Sequence, residues 1–141
     1  AQTIGPDKMN ELRHVNYFHN VEGIYEQMKK HRAIIWPKFL TVLDMLDKEL
    51  ADTGILSWTR PNGGDFFSVD TMEGCAKRVV SLCKDAGVVL TSAGATYPYG
   101  KDPRDTNIRI APTFPPIEEL KLAMELFCLC VKLASVEKLL A

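Results

Sequence analysis

From Val21 to Leu50 the apolar residues Ile24, Met28, Ile35, Phe39, Val42 and Leu46 recur at spacings of three, four or seven, which places them on one helical face. A helix over that span extends about 45 Å at 1.5 Å per residue, and Pro37 in its interior is expected to kink or divide it. A shorter helix is expected to precede it, starting at Gly5-Pro6-Asp7 and running through about Phe18. Proline suits the first helical position, and an acid suits the first turn.

Beyond residue 50 the pattern changes. Gly54 to Trp58 and Phe66 to Val69 are short β-type runs separated by Arg60-Pro61-Asn62-Gly63-Gly64, a strong turn signal, and are expected to pair as an antiparallel hairpin. Asp70 and Glu73 have capping-box spacing. They precede a helical face of Ala76, Val79, Val80, Cys83 and Ala86 that stops at Gly87, a good residue for the position after a helix. Val88 to Thr91 and Asn107 to Ile110 read as two further strands. Pro115-Pro116 opens a last helix with Leu120, Ala123, Met124, Phe127, Val131 and Ala134 on one face. This order predicts an α+β fold: a small, mostly antiparallel sheet covered on one side by helices and preceded by a long kinked helix.

Composition narrows the function classes. With 46% apolar and 25% charged residues among 141, the chain fits one compact domain with a real core. A formal net charge of -1 gives no basic field for nucleic acid, and no apolar run approaches the roughly 20 residues that cross a bilayer. Neither a nucleic-acid nor a membrane partner is expected, and in the absence of a signal-peptide pattern the expected location is cytoplasmic. Cys75, Cys83, Cys128 and Cys130 lie in helical segments; Cys128 and Cys130, two apart, point to nearly opposite faces. Buried reduced thiols are expected.

The most informative stretch is Asn107-Ile108-Arg109-Ile110-Ala111-Pro112, an apolar strand carrying one arginine after the turn-rich loop from Ala93 to Asp105. Arginine's planar fork matches a carboxylate with two parallel hydrogen bonds. Alternation puts Ile108 and Ile110 toward the helices and turns Arg109 and Asn107 outward or into a cleft. A strand arginine taken alone more often serves a nearby acid. The adjacent loop, Ala93-Gly94-Ala95-Thr96-Tyr97-Pro98-Tyr99-Gly100, shifts the balance, because small residues allow close backbone approach and two tyrosines could line a pocket. Gly63 and Gly64 could admit a ligand to the backbone, although hairpin geometry alone is the better explanation of them. Asp65, beside the paired aromatics Phe66 and Phe67, either caps the turn or serves a neighbouring charge. His14, His19 and His31 have no ligand-spaced companions, so packing or surface roles are expected and no metal site.

The ordered series Trp58-x-x-Pro61-x-Gly63-Gly64-x-Phe66, Gly87-Val88, Ala93 to Gly100 and Asn107-Ile108-Arg109 resembles the C-terminal part of fold type I pyridoxal-phosphate aminotransferases. The resemblance covers essentially the whole chain. It is nearest to the aspartate aminotransferase-like branch labelled MocR-like, which shares an opening similar to Gln2-Thr3-Ile4-Gly5-Pro6-Asp7-Lys8.

This resemblance implies a substrate-binding set of Arg109, Asn107, Gly63 and Gly64, in which Arg109 binds the α-carboxylate of an amino-acid substrate and Gly63 and Gly64 lie on the substrate side. It implies that the segment around Thr3 and Gly5 approaches a dimer interface. Pyridoxal 5'-phosphate and its Schiff-base lysine belong to a large domain outside this chain, since no lysine here matches that position. The opening residues likewise read as the interior of a longer protein. Residues 1–50 are then an N-terminal helical segment with a long interdomain helix, and residues 51–141 a small α+β domain. The full-length protein is implied to be a homodimer that transfers an amino group from an amino acid to a 2-oxo acid, with this chain alone inactive. Asp65 and Ser92 depart from the family pattern, which usually has an aromatic or small apolar residue at the first position and proline at the second. Two rival readings are a stand-alone regulatory module that binds a small carboxylate and the aminotransferase-like part of a transcriptional regulator.

Overall fold

The computed structural model describes Gly5 and residues 7–141, so the expected helix-start role of Pro6 and the role proposed for Thr3 lie outside the described residues. The chain divides into two compact units, Ala1–Trp36 and Pro37–Ala141.

In the first unit, helix α1 (Lys8–Phe18) is capped by Asp7, whose carboxylate accepts hydrogen bonds from the Met9 and Asn10 amides at 3.1 and 3.2 Å. The acid thus satisfies donors that a helix start leaves free, from the cap position rather than from inside the first turn. No residue of α1 is buried, and Met9, Leu12 and Val15 are exposed.

Helix α2 (Val21–Leu50) continues through Pro37, so the expected division there does not occur. Proline removes an amide donor but leaves its carbonyl, which accepts from Thr41 Oγ1 at 2.9 Å. Burial of Phe39, Val42, Leu43, Leu46 and Leu50 anchors the helix beyond the proline. Packing therefore joins residues 37–50 to the unit that holds the sheet.

The second unit contains strands β1 (Leu56–Trp58), β2 (Phe67–Thr71) and β3 (Asn107–Ile110), ordered β1-β2-β3 with both pairings antiparallel. Leu56, Phe67, Val69, Thr71, Ile108 and Ile110 are buried on one face. Against them pack the C-terminal part of α2, α3 (Ala76–Asp85) and α4 (Ile117–Leu140), which contribute Phe39, Val42, Leu46, Val79, Phe127 and Val131. Phe39 and Phe67 meet with ring centroids 4.6 Å apart. Each such side chain, fully buried, stabilises the fold by roughly 1.5–3 kcal/mol. The opposite face carries Ser57, Ser68, Asp70, Asn107 and Arg109, in the register Ser57↔Asp70, Asp70↔Asn107 and Ser68↔Arg109. This is the expected α+β architecture, with helices on one side of the sheet.

Two local expectations are corrected. Val88 to Thr91 is not a strand, because the end of α3 uses part of it. With Gly87 at φ 92°, the Gly87 amide donates to Lys84 O at 3.0 Å and the Val88 amide to Cys83 O at 2.8 Å. That is a Schellman turn, which commits the Val88 amide to the helix. The residues that follow make no ladder with β3, and Val89 is 84% exposed. The capping box at Asp70 and Glu73 also fails. Asp70 ends in the sheet, and the first turn of α3 is satisfied instead by Asp105, whose carbonyl accepts from the Ala76 amide at 2.9 Å and whose Oδ1 accepts from the Lys77 amide at 3.2 Å.

All four cysteines are buried and free, as expected. No helix among the described residues is long and apolar enough to cross a membrane.

Candidate carboxylate site on the polar face of the sheet

Arg109 is half-buried on the polar face, between the buried Ile108 and Ile110, as the alternation predicts. Its Nε is buried without a hydrogen-bond partner. Among the described residues it belongs to none of the ion pairs, which involve Arg60 with Asp47, Arg78 with Glu137, and lysines with glutamates. The ordinary role of a strand arginine, serving a nearby acid, is therefore not the one seen here. The guanidinium instead lies over the ring of Phe66, 4.4 Å from its centroid.

Asn107 shares this face but is 7% exposed, because the loop before it folds over its side chain. Its Oδ1 accepts from Thr96 Oγ1 at 2.6 Å, and its Nδ2 donates to Ser68 Oγ at 2.9 Å and to Asp70 Oδ1 at 2.8 Å. Its backbone amide donates to Asp102 Oδ2 at 2.9 Å. Both amide hydrogens thus have partners within the protein. Asp102 also accepts from the Arg104 and Thr106 amides at 3.0 and 2.8 Å. These backbone donors, that of Asn107 first, hold its carboxyl below the usual range.

The loop is compact for a steric reason. Gly94 has φ +81°, and a Cβ there would stand 2.5 Å from Gly100 O, so only glycine lets the chain close on itself at this point. Tyr97 is half-buried and Tyr99 is 97% exposed, so the two tyrosines do not share one environment.

A groove of about 930 Å³ adjoins Arg109, lined by Val88, Leu90, Ala111, Phe114 and Leu122 among others. Gly63 and Gly64 lie in the exposed connection between β1 and β2. A Cβ on either would meet nothing within 4 Å, and only Gly64, with φ +92°, needs glycine's backbone freedom. They therefore leave open space at the turn that leads into Phe66, and Asp65 is exposed there.

Sequence reasoning singled out Arg109 and Asn107 but missed Phe66, Ser68, Thr96 and Asp102. A signal for Phe66 existed: adjacent residues at a strand start face opposite ways, so Phe67 in the core puts Phe66 toward the arginine's side. His14, His19 and His31 are exposed, and the described residues hold no group of three or more residues suited to a metal ion.

Comparison with known proteins agrees with this architecture. The profile of the aspartate amino-transferase family matches residues 1–141. An aspartate aminotransferase of Corynebacterium glutamicum is 48% identical over 134 residues, covering 95% of this chain and 31% of that protein. The crystal structure of an aspartate transaminase from Corynebacterium glutamicum superposes with a TM-score of 0.92 at 48% identity, covering 96% of this chain and 32% of that one. At 19% identity, the α-aminoadipate aminotransferase LysN of Thermus thermophilus shares the fold, with a TM-score of 0.69 over 82% of this chain and 29% of its own. The chain belongs to the aspartate amino-transferase family, and its fold is that of the small domain of fold type I aminotransferases. It spans about a third of the length of the curated relatives it matches.

Proposed function

We propose that the whole protein is a pyridoxal-phosphate-dependent aminotransferase that moves an amino group from an amino acid to a 2-oxo acid, and that this chain supplies the grip on the substrate's carboxylate. The observation that carries the reading is the state of Arg109: a cation on the polar face of the sheet, with its Nε buried and unpartnered and no acid among the described residues paired to it. A buried donor without an acceptor costs about 1–3 kcal/mol, so the arrangement favours a ligand that brings acceptors. A carboxylate brings two in the plane of the fork, and charged hydrogen bonds of this kind contribute about 1.5–3 kcal/mol each. That is enough to orient the substrate as well as hold it.

Asn107 acts from behind this contact. With its side chain committed to Thr96, Ser68 and Asp70, it fixes the start of β3 relative to the loop and so holds the backbone from which Arg109 projects. Gly63 and Gly64 keep the turn beside Phe66 open to an approaching substrate.

The cofactor, when bound, supplies the electron sink that makes the bond to the amino-bearing carbon breakable. This chain's residues do not fit as its holder. Its lysines are exposed except Lys38 and Lys132, which are half-buried and donate to Thr113 O at 2.6 Å and Glu49 Oε2 at 2.8 Å. The reading therefore assigns cofactor attachment to a large domain outside this chain and expects this chain alone to be inactive. It includes a cytoplasmic homodimer, residues 1–50 as the helical segment containing the interdomain helix, residues 51–141 as the small domain, and placement in the MocR-like branch. The family resemblance supports each of these apart from the location.

The test uses the full-length protein loaded with pyridoxal phosphate and a panel of amino acids with a 2-oxo acid acceptor. Arg109→Ala is expected to raise KM and lower kcat/KM for every active amino acid by about a hundredfold, the effect of losing two charged hydrogen bonds. Wild-type kinetics in that variant would remove Arg109 from the site. No amino transfer by the wild type with any donor would remove the transaminase reading.

A further inference from the structure

We propose that Phe66 is a positioning residue for Arg109, its ring holding the guanidinium so that the fork meets a carboxylate in a single orientation. The inference rests on the reading of Arg109 as the carboxylate grip and adds to it the element that aims the grip.

The backbone alone cannot aim Arg109. Pairing with β2 fixes its Cα opposite Ser68, but several rotatable bonds separate that Cα from the guanidinium. Among the described residues no carboxylate pairs with the group, and Nε has no acceptor. The contact that does constrain it is the ring of Phe66, with the guanidinium carbon 4.4 Å from the ring centroid. Cations are attracted to the face of an aromatic ring, and arginine's planar group also stacks on such rings. A bidentate contact requires the fork to lie in the plane of the carboxylate, so restricting the guanidinium plane before the ligand arrives reduces what binding must order. The ring also shields the group from water, which strengthens charged hydrogen bonds formed there.

Phe66 is placed for this task by register. It stands just before β2, whose first residue, Phe67, is fully buried against Phe39. Phe66 itself is 47% exposed. Isolated exposed apolar residues are ordinary, so exposure alone argues nothing; the contact of the ring with a cation that has no paired acid among the described residues is what carries the argument. The exposure does have a practical consequence, because a half-exposed ring outside the core can be changed without opening a cavity.

The full-length, cofactor-loaded protein is compared as wild type, Phe66→Leu, Phe66→Tyr and Arg109→Ala. The probes are the best amino-acid donor of the panel and propionate, a carboxylate without an amino group, as competitive inhibitor. Phe66→Leu is expected to raise both KM and the propionate inhibition constant by about tenfold, the scale of a partly desolvated cation–π contact, with an unchanged melting temperature. Phe66→Tyr, which keeps the ring, is expected to stay within about twofold of wild type. Values for Phe66→Leu within twofold of wild type, or Phe66→Tyr as impaired as Phe66→Leu, overturn the inference while leaving Arg109 in place. Unimpaired propionate binding by Arg109→Ala overturns the carboxylate reading itself, and the inference with it.

Discussion

Thr96 Oγ1 donates to Asn107 Oδ1 at 2.6 Å, and this bond joins the tyrosine-bearing loop to the strand that carries Arg109. Because Asn107 also reaches Ser68 and Asp70 on β2, one side chain ties together three segments around the candidate site. The polar face of the sheet is organised at this point, two residues from the arginine.

Replacing Asn107 by alanine removes the acceptor for Thr96 and the donors to Ser68 and Asp70 at a position only 7% exposed. Partly buried groups left without partners cost about 1–3 kcal/mol, and a loss of about 2 kcal/mol in unfolding free energy is expected. Thr96→Val, which deletes one bond of the set, is expected to cost about 1 kcal/mol. Denaturant unfolding of the full-length protein checks both values. An Asn107→Ala variant as stable as wild type would show that the loop is held by something other than this network.

The thiols give a second prediction, about reactivity. Burial pushes Cys83 up to about 12, with the neighbouring Cys130 adding to the shift, and pushes Cys128 up to about 11. The thiolate is the reactive form, so at pH 8 both side chains should resist iodoacetamide in the folded protein. The sign for stability follows. A thiol whose pKa is raised by folding favours the folded state fully below the unfolded value, about 8.5. That contribution falls away as pH climbs toward 11 and 12. Peptide mapping after timed labelling should find Cys83 and Cys128 modified only once denaturant is added. Rapid labelling of either in the native protein would contradict the packing of α3 against α4.

Much of the core was legible because it is written in period. Phe39, Val42 and Leu46 sit one helical turn apart, and Ile108 and Ile110 flank Arg109 in the alternation of a strand, so their burial follows from local geometry. The failures have a different origin. The α3 cap comes from Asp105, 28 residues away from Lys77, and a distant partner leaves no local pattern. The run Val88 to Thr91 has strand-like residues, but a helix-ending turn commits its first amide elsewhere. Asn107 alternates with core positions and so reads as turned outward or into a cleft; it does lie on the polar face, but the fold of the preceding loop, which no periodicity encodes, leaves it only 7% exposed. Arg109 was legible as chemistry, whereas its position over the Phe66 ring depends on how β2 and β3 come into register.

Asp102 makes this support sensitive to acid. Its carboxylate accepts from the amides of Asn107, Thr106 and Arg104 and from the Thr106 hydroxyl, and the Asn107 amide is the largest cause of its lowered pKa. A carboxyl with a depressed folded pKa stabilises the fold above its unfolded value, about 3.9, and that contribution disappears as pH falls through the lower folded value. The loop from Asp102 to Asn107 should therefore loosen at the acid end of the pH range, ahead of the sheet core, where Val69 is fully buried and Ile108 nearly so. Hydrogen exchange followed at several pH values, corrected for intrinsic rates, should show the Thr106 and Asn107 amides losing protection in acid while Val69 keeps it. Asp102→Asn retains an acceptor oxygen but not the charge, and should flatten this dependence by giving weaker protection at neutral pH. If the Asn107 amide is equally protected at all pH values in wild type and variant, the Asp102 carboxylate does not hold the strand that positions Arg109.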